Sequence, residues 1–381
     1  MKILLLAPHP FFQQRGTPIA ERMVIEMLAR QGHEIEVLTF AEGEDIPGCR
    51  ILRIPRVPFT RSIQPGFSLK KLANDAVLLV STLRRARRYD LIHAVEESAF
   101  MALAARWMFK VPYVYDMDSG LARQMIDKYP FLRRLRSILE GCESAAVRGS
   151  VATLAVCKSL EDHARACNPR GLIARIEDIS LLMDADGEAD DVPDGPVAMY
   201  VGNLQSYQGI GLLLDAFRHT LREMPEAKLV VIGSGPRPAD PGENVIFLGP
   251  RPVERLGAYL RRATVLVSPR IQGENTPMKI YSYLDSGRPV LATRLPTHTQ
   301  VLTDDIARLV DPEPAALGKA LAELLRDEAL RERLARAAKA FAQRELTREA
   351  FERKLLRFYD SVEERIREEK PDGQTARLQA R

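Results

Sequence analysis

Apolar residues recur along the chain in short, nearly unbroken runs, set between longer stretches with helical spacing. Residues 2–8 (KILLLAP) open the series, and a run of this kind predicts a strand covered on both faces. Residues 34–40 (EIEVLTF), 49–55 (CRILRIP), 91–95 (LIHAV), 113–117 (YVYDM) and 151–156 (VATLAV) continue it. Helices are predicted between them, from Thr17-Pro18 to about Gly32, over 72–89, from about Ser98, and over 131–148. Strands alternating with helices predict an α/β fold with parallel, doubly wound sheets.

Residues 184–196 (DADGEADDVPDGP) are acidic, hold Gly and Pro, and have no periodicity, which predicts an interdomain linker. The strand pattern then restarts at 197–202, 228–233, 245–249, 264–269, 289–293 and 307–310. Residues 313–368 read as helical and charged, and 369–381 as a disordered tail. A length of 381 residues exceeds one typical core, so two domains are expected, over 1–185 and 196–345.

A net charge of +4 is too small, without interleaved aromatic and basic residues, to point to nucleic acid. The four cysteines show no Cys-x-x-Cys spacing and read as reduced thiols of a cytoplasmic protein. The apolar N-terminus is cut off by Pro8 and Pro10 before it reaches signal-peptide length, and no run approaches bilayer length.

Candidate chemistry concentrates in residues 268–293 (SPRIQGENTPMKIYSYLDSGRPVLAT). The stretch reads as a strand end, a polar loop, a short helix starting at Asn275-Thr276-Pro277, and the next strand. Helix amino ends offer free amides and a positive dipole end. Arg270 and Lys279 lie within a turn or two of that end, with Glu274 beside it. Two readings stand: a site for a phosphorylated sugar, or an ordinary connection with solvated charges. Two facing α/β sheets would place a cleft at the carboxyl ends of their strands. Arg15-Gly16-Thr17-Pro18 and Glu274-Asn275-Thr276-Pro277 would both deliver helix starts to it. Gly202, in a glycine-bearing turn, would let backbone approach a ligand. Residues 231–236 (VIGSGP) lack the third glycine of a dinucleotide fingerprint, which disfavours a nicotinamide enzyme.

Residues 28–39 (LARQGHEIEVLT), 201–217 (VGNLQSYQGIGLLLDAF), 230–236 (VVIGSGP) and the block from Pro277 to Thr293 resemble the retaining GT-B glycosyltransferases of family 4. The resemblance implies two Rossmann-like domains facing a cleft, the first on the acceptor side and the second on the nucleotide-sugar donor side. It implies that helices over 346–368 cross back to the first domain, and that no metal or other cofactor is required. The donor would meet Arg15, Gly16, Thr17, Gly202, Asn203, Gln208, Gly233, Ser234, Asn275, Thr276 and Ser282, with Arg270, Glu274 and Lys279 at the reacting centre. The departures are specific. Ser282 stands where the family has a second Glu for the donor ribose. Asn203 and Gln208 stand where it usually has Arg and Lys in the glycine turn, and Asp118 stands at its common His. Arg15, Arg270 and Lys279 would then supply the positive charge.

Asp116 and Asp118 end a first-domain strand and are expected to meet acceptor hydroxyls, with no metal-ligand set beside them. His93 reads as structural, His298 as either a donor contact or a surface-loop residue, and Tyr283 as packing. Phe131, Leu132, Leu135, Ile138 and Leu139 form a stripe flanked by Arg133, Arg134 and Arg136. With residues 59–61 and 84–88, that stripe offers peripheral contact with an anionic membrane carrying a lipid-linked acceptor. The commoner use of such a pattern is a stripe that joins the core. The reading is thus a retaining transferase acting on a glycan, lipid-linked or small-molecule acceptor in surface polysaccharide or glycolipid assembly. A nucleotide-sugar-binding or regulatory protein without turnover is the alternative, and a binding protein for another phosphorylated ligand is a third.

Overall fold

The computed structural model describes residues 1–12, 16–58, 60, 63, 68–182 and 189–369. The chain packs as two compact units, one of residues 1–177 with the C-terminal helix from Glu352, the other of Asp178–Phe351. Arg15 lies outside the described residues, as do Phe59, Arg61, the first half of the expected linker and residues 370–381 of the expected tail, whose first residue, Glu369, ends a helix.

In the first unit the strands are β1 (Lys2–Ala7), β2 (Glu34–Thr39), β3 (Arg50–Arg53), β4 (Leu91–Val95), β5 (Tyr113–Met117), β6 (Ala152–Ala155) and β7 (Leu172–Arg175). The connecting helices are α1 (Gly16–Arg30), α2 (Leu69–Arg85), α3 (Ser98–Phe109), α4 (Leu121–Lys128), α5 (Arg136–Gly149) and α6 (Lys158–Cys167). The sheet runs β3-β2-β1-β4-β5-β6-β7 and its strands pair in parallel. Ile3 to Ala7 are essentially inaccessible, as expected of a strand with both faces covered. A 3-10 turn over Pro130–Leu135 precedes α5, so the predicted helix over 131–148 is two elements.

The second unit repeats the plan with β8 (Val197–Val201), β9 (Lys228–Ile232), β10 (Val245–Gly249), β11 (Val265–Ser268), β12 (Val290–Thr293) and β13 (Arg308–Val310). Its helices are α7 (Ile210–Glu223), α8 (Leu256–Arg262), α9 (Lys279–Asp285), α10 (Pro296–Thr299), α11 (Pro314–Arg326) and α12 (Glu328–Glu345), before α13 (Arg348–Glu369). The parallel order is β10-β9-β8-β11-β12-β13. The second half of the expected linker belongs to this unit. Ala189 and Val192 are buried in its core, and Asp191 and Asp194 pair with Arg251 and Arg262, both at 2.6 Å.

The helix expected from Thr276-Pro277 begins two residues later. The amide of Ile280 bonds to the Pro277 carbonyl (2.9 Å) and that of Tyr281 to Met278 (3.2 Å), a tight i+3 turn that leads into α9.

Two histidines join strands to their surroundings. His93 on β4 is buried, with Nε2 2.9 Å from the Asp116 carboxylate and Nδ1 2.5 Å from the Tyr359 hydroxyl on α13. The carboxylate can only accept, so Nε2–H donates to it and Nδ1 takes the Tyr359 O–H. Asp116, expected to meet acceptor hydroxyls, thus has one carboxylate oxygen engaged inside the unit. His298 on α10 is fully buried between Ser268 Oγ (2.9 Å from Nε2) and the Thr293 carbonyl (2.8 Å from Nδ1), joining the ends of β11 and β12. It is neither a surface-loop residue nor open to a donor.

Both contacts are testable. Replacing Tyr359 by Phe leaves His93 Nδ1 buried without a donor, and should cost about 1–3 kcal/mol in chemical denaturation. An unchanged midpoint would contradict the contact. Burial, reinforced by the Lys279 and Arg270 charges and opposed by the Thr293 carbonyl, lowers the His298 pKa from 6.5 to about 4. A depressed folded value means full stability above the unfolded pKa and loss as pH falls toward the folded one. Stability should therefore drop by about 2 kcal/mol between pH 7 and pH 5, and His298→Gln should remove most of that slope. Parallel pH profiles for the two proteins would refute it.

Candidate active site

The strand order of the second unit reverses between β8 and β11, so the loops leaving these neighbours diverge around a crevice at their carboxyl ends. Two close contacts hold the loops together. The amide of Ile271, after β11, bonds to the Tyr207 carbonyl, after β8, at 3.0 Å. Gly209 packs so tightly on the same strand end that a Cβ would lie 1.9 Å from the Pro269 carbonyl oxygen. Its φ of +74° also suits glycine. The Gly233 amide donates to the Gly249 carbonyl (3.0 Å), and the exposed Ser234 holds the Leu204 amide through its own carbonyl (2.9 Å).

Onto this frame two cations are placed by consecutive residues of one turn. Arg270, only 8% exposed, stacks 5.3 Å from the Tyr207 ring. Its guanidinium donates to the Gln272 carbonyl (2.7 Å), the Asn275 carbonyl (3.2 Å) and the Asn275 side-chain oxygen (3.2 Å). Lys279 is partly exposed along its stem, but its ammonium turns inward. It donates to Gln208 Oε1 (3.0 Å) and lies 3.9 Å from the centre of the buried Tyr200 ring. It also sits over Gly202, where a Cβ would come within 2.9 Å of Nζ. Burial lowers the Lys279 pKa well below the usual lysine value, and the Arg270 charge adds to this. Burial likewise lowers that of Arg270, against a smaller opposing effect of Tyr207 and Tyr200. Among the described residues no carboxylate pairs with either cation. Enclosed positive charge without a counter-ion is costly, and an entering anion would offset that cost.

The other expected site residues fall into two groups. Asn275 lies at the centre, its carbonyl also accepting from Thr297 Oγ1 (2.7 Å). Thr276 is buried with its hydroxyl unpaired, and Glu274 is half-buried, its carbonyl taking the Gln300 amide (2.6 Å). Asn203 is exposed at the turn, bonded to the Gln205 amide (3.2 Å) and the Tyr207 hydroxyl (3.3 Å). Ser282 does not join them. It is 1% exposed inside α9 and its hydroxyl accepts the Leu181 amide at 3.1 Å.

In the first unit Gly16 and Thr17 open α1, and Asp118 is half-buried just past β5. Beside it Ser119 donates to Glu96 (2.7 Å), whose carboxyl is pushed up to about 7 by burial, with Asp116 and Glu143 adding and Ser119 and Lys71 opposing. Sequence reasoning missed Tyr200, Tyr207 and Glu96. The two tyrosines flank the glycine turn, and their spacing around it was the available signal.

Among family models, that described as "Glycosyl transferases group 1" matches residues 195–327, and that described as "Glycosyl transferase 4-like domain" matches 16–176. A D-inositol 3-phosphate glycosyltransferase of Acidothermus cellulolyticus is 31% identical over 403 residues, covering 86% of this chain and 82% of the relative. A phosphatidyl-myo-inositol mannosyltransferase of Mycobacterium leprae is 30% identical over 177 residues, 44% of this chain, and the match spans only 47% of that relative's length. Among solved structures, sucrose-phosphate synthase from Thermosynechococcus elongatus superposes with a TM-score of 0.76 at 21% identity, over 95% of this chain and 98% of the other. An Anabaena protein (Alr3699/HepE) in complex with UDP-glucose gives 0.72 at 17% identity, over 95% of this chain and 100% of the other. These likenesses carry the GT-B fold. With both halves matched by its models, the chain belongs to the group 1, or family 4, glycosyltransferases.

Proposed function

We propose that this protein transfers a sugar from a nucleoside diphosphate sugar to a glycan, lipid-linked or small-molecule acceptor, with retention at the anomeric carbon and without a metal. The observation that carries the reading is the pair of enclosed cations, Arg270 and Lys279, held by carbonyls, an amide side chain and aromatic rings in place of carboxylates. A diphosphate is the anion that a glycosyltransferase donor brings. That the fold neighbour from Anabaena holds UDP-glucose supports a donor of this class. The relatives named for inositol phosphate and phosphatidylinositol substrates support a role in glycolipid or surface polysaccharide assembly.

The chemistry follows from the charge. As the donor C1–O bond breaks, negative charge grows on the leaving phosphate, and fixed cations aimed there stabilise the transition state. The acceptor oxygen bonds to C1 from the same face and its proton passes to the leaving phosphate, so no protein nucleophile is needed. Glu274 orients sugar hydroxyls, with Asn275 holding Arg270 in place. One observation favours the second reading, donor binding without turnover: Ser282, at the position of the usual ribose carboxylate, is committed to Leu181.

Arg270→Ala and Lys279→Met should each weaken UDP binding by about 1.5–3 kcal/mol, the worth of a charge-assisted hydrogen bond. Equal calorimetric affinities for wild type and both variants would sink the assignment. Once a productive donor is found, turnover should persist in excess chelator, because the two cations take the role of a metal. Loss on chelation and rescue by a divalent ion would overturn that part of the reading, whereas tight binding with no turnover for any donor would select the binding-only alternative.

A further inference from the structure

Three residues of the stripe on the first unit stand outside the core, while Leu132 and Leu139 are half-buried. Phe131 is 72% exposed, Ile138 63% and Leu135 45%, although large apolar side chains are ordinarily drawn inside. Residues 128–138 (KYPFLRRLRSI) hold Lys128, Arg133, Arg134 and Arg136 and no carboxylate. Among the described residues Arg136 pairs with the half-buried Glu140 one turn on.

The position of this patch is fixed by α5. Glu143, halfway along the helix, accepts the Leu121 amide at 2.7 Å, just past the carboxyl end of β5, and the helix then runs back to deliver the chain to β6. At about 1.5 Å per residue, Ile138 stands roughly 7 Å further out, with Leu135 and Phe131 beyond it. The patch therefore projects past the carboxyl end of the first sheet. A second exposed pair, Leu69 (80%) and Leu72, opens α2 at this same end, where Lys71 pairs with Glu97 just past β4.

We propose that this face is a docking surface for an anionic lipid bilayer, with Phe131, Leu135 and Ile138 entering the headgroup boundary and Arg133 and Arg134 meeting lipid phosphates. Charge selects this occupant. An apolar ridge edged by Arg133, Arg134 and Arg136, with carboxylates only beyond its ends at Asp127 and Glu140, matches a surface that is apolar in depth and negative at its rim. It would bring the carboxyl end of the first sheet, with Asp118 and Glu96, down to the membrane. The inference goes beyond the transfer reading and does not depend on it.

The test is co-sedimentation of the full chain with phosphatidylcholine vesicles, with and without phosphatidylglycerol. Wild type should bind the anionic vesicles at low salt, release them at high salt, and leave the neutral ones. Arg133→Ala/Arg134→Ala should lower partitioning roughly 30-fold, from about fivefold per cation near the surface. Phe131→Ser/Ile138→Ser should lower it at least about tenfold, the order expected from withdrawing two apolar side chains. Both pairs of changes lie on exposed positions, so melting temperature and UDP affinity should stay as in wild type. A wild type that ignores anionic vesicles would overturn the proposal, as would variants that bind as well as wild type. So would variants whose only change is loss of self-association, which would make the face a contact between copies.

Discussion

Two positive charges enclosed within one unit, with no carboxylate among the described residues to answer them, are the constraint around which the second half of the chain is arranged. Removing a cation from water is expensive, and here the cost is met by carbonyl oxygens, two amide side chains and the faces of two tyrosines. That solution requires the turn after β8 to lie against the loop after β11. Gly209 permits the approach and the Ile271 amide fixes it. His298 and Thr293 then hold the neighbouring strand end rigid, Thr293 Oγ1 bonding to the Arg270 carbonyl at 2.5 Å. A site built this way is ready for an anion before one arrives.

The departures from the family pattern acquire a physical sense in this arrangement. Where the resembled family usually carries Lys in the glycine turn, this chain has Gln208, and the Lys279 ammonium reaches Gln208 from the opposite loop. Ser282 follows the reverse course. Having no carboxylate, the position turns inward and ties the Leu181 segment to α9.

Much of the fold was legible. All six strands of the second unit lie where the apolar runs placed them, because a doubly covered strand must be apolar on both faces. β7 went unread because LIAR (172–175) is short and ends the sheet, half-exposed. Arg270 and Lys279 were legible as cations near a loop, but their enclosure was not, since it depends on rings 63 and 79 residues away. The burial of Asp116 and the exposure of the 128–138 stripe were not legible, for the same reason in opposite senses. Burial is settled by what packs across, here His93 against the carboxylate, while Phe131, beside the Tyr129 ring, stays 72% exposed.

The central claim is tested most directly by a crystal structure with UDP bound. The account predicts diphosphate oxygens within hydrogen-bonding reach of both the Arg270 guanidinium and Lys279 Nζ, with Gln208 released from or sharing the ammonium. A diphosphate seated elsewhere, with Lys279 still turned onto Tyr200 and Gln208, would contradict it.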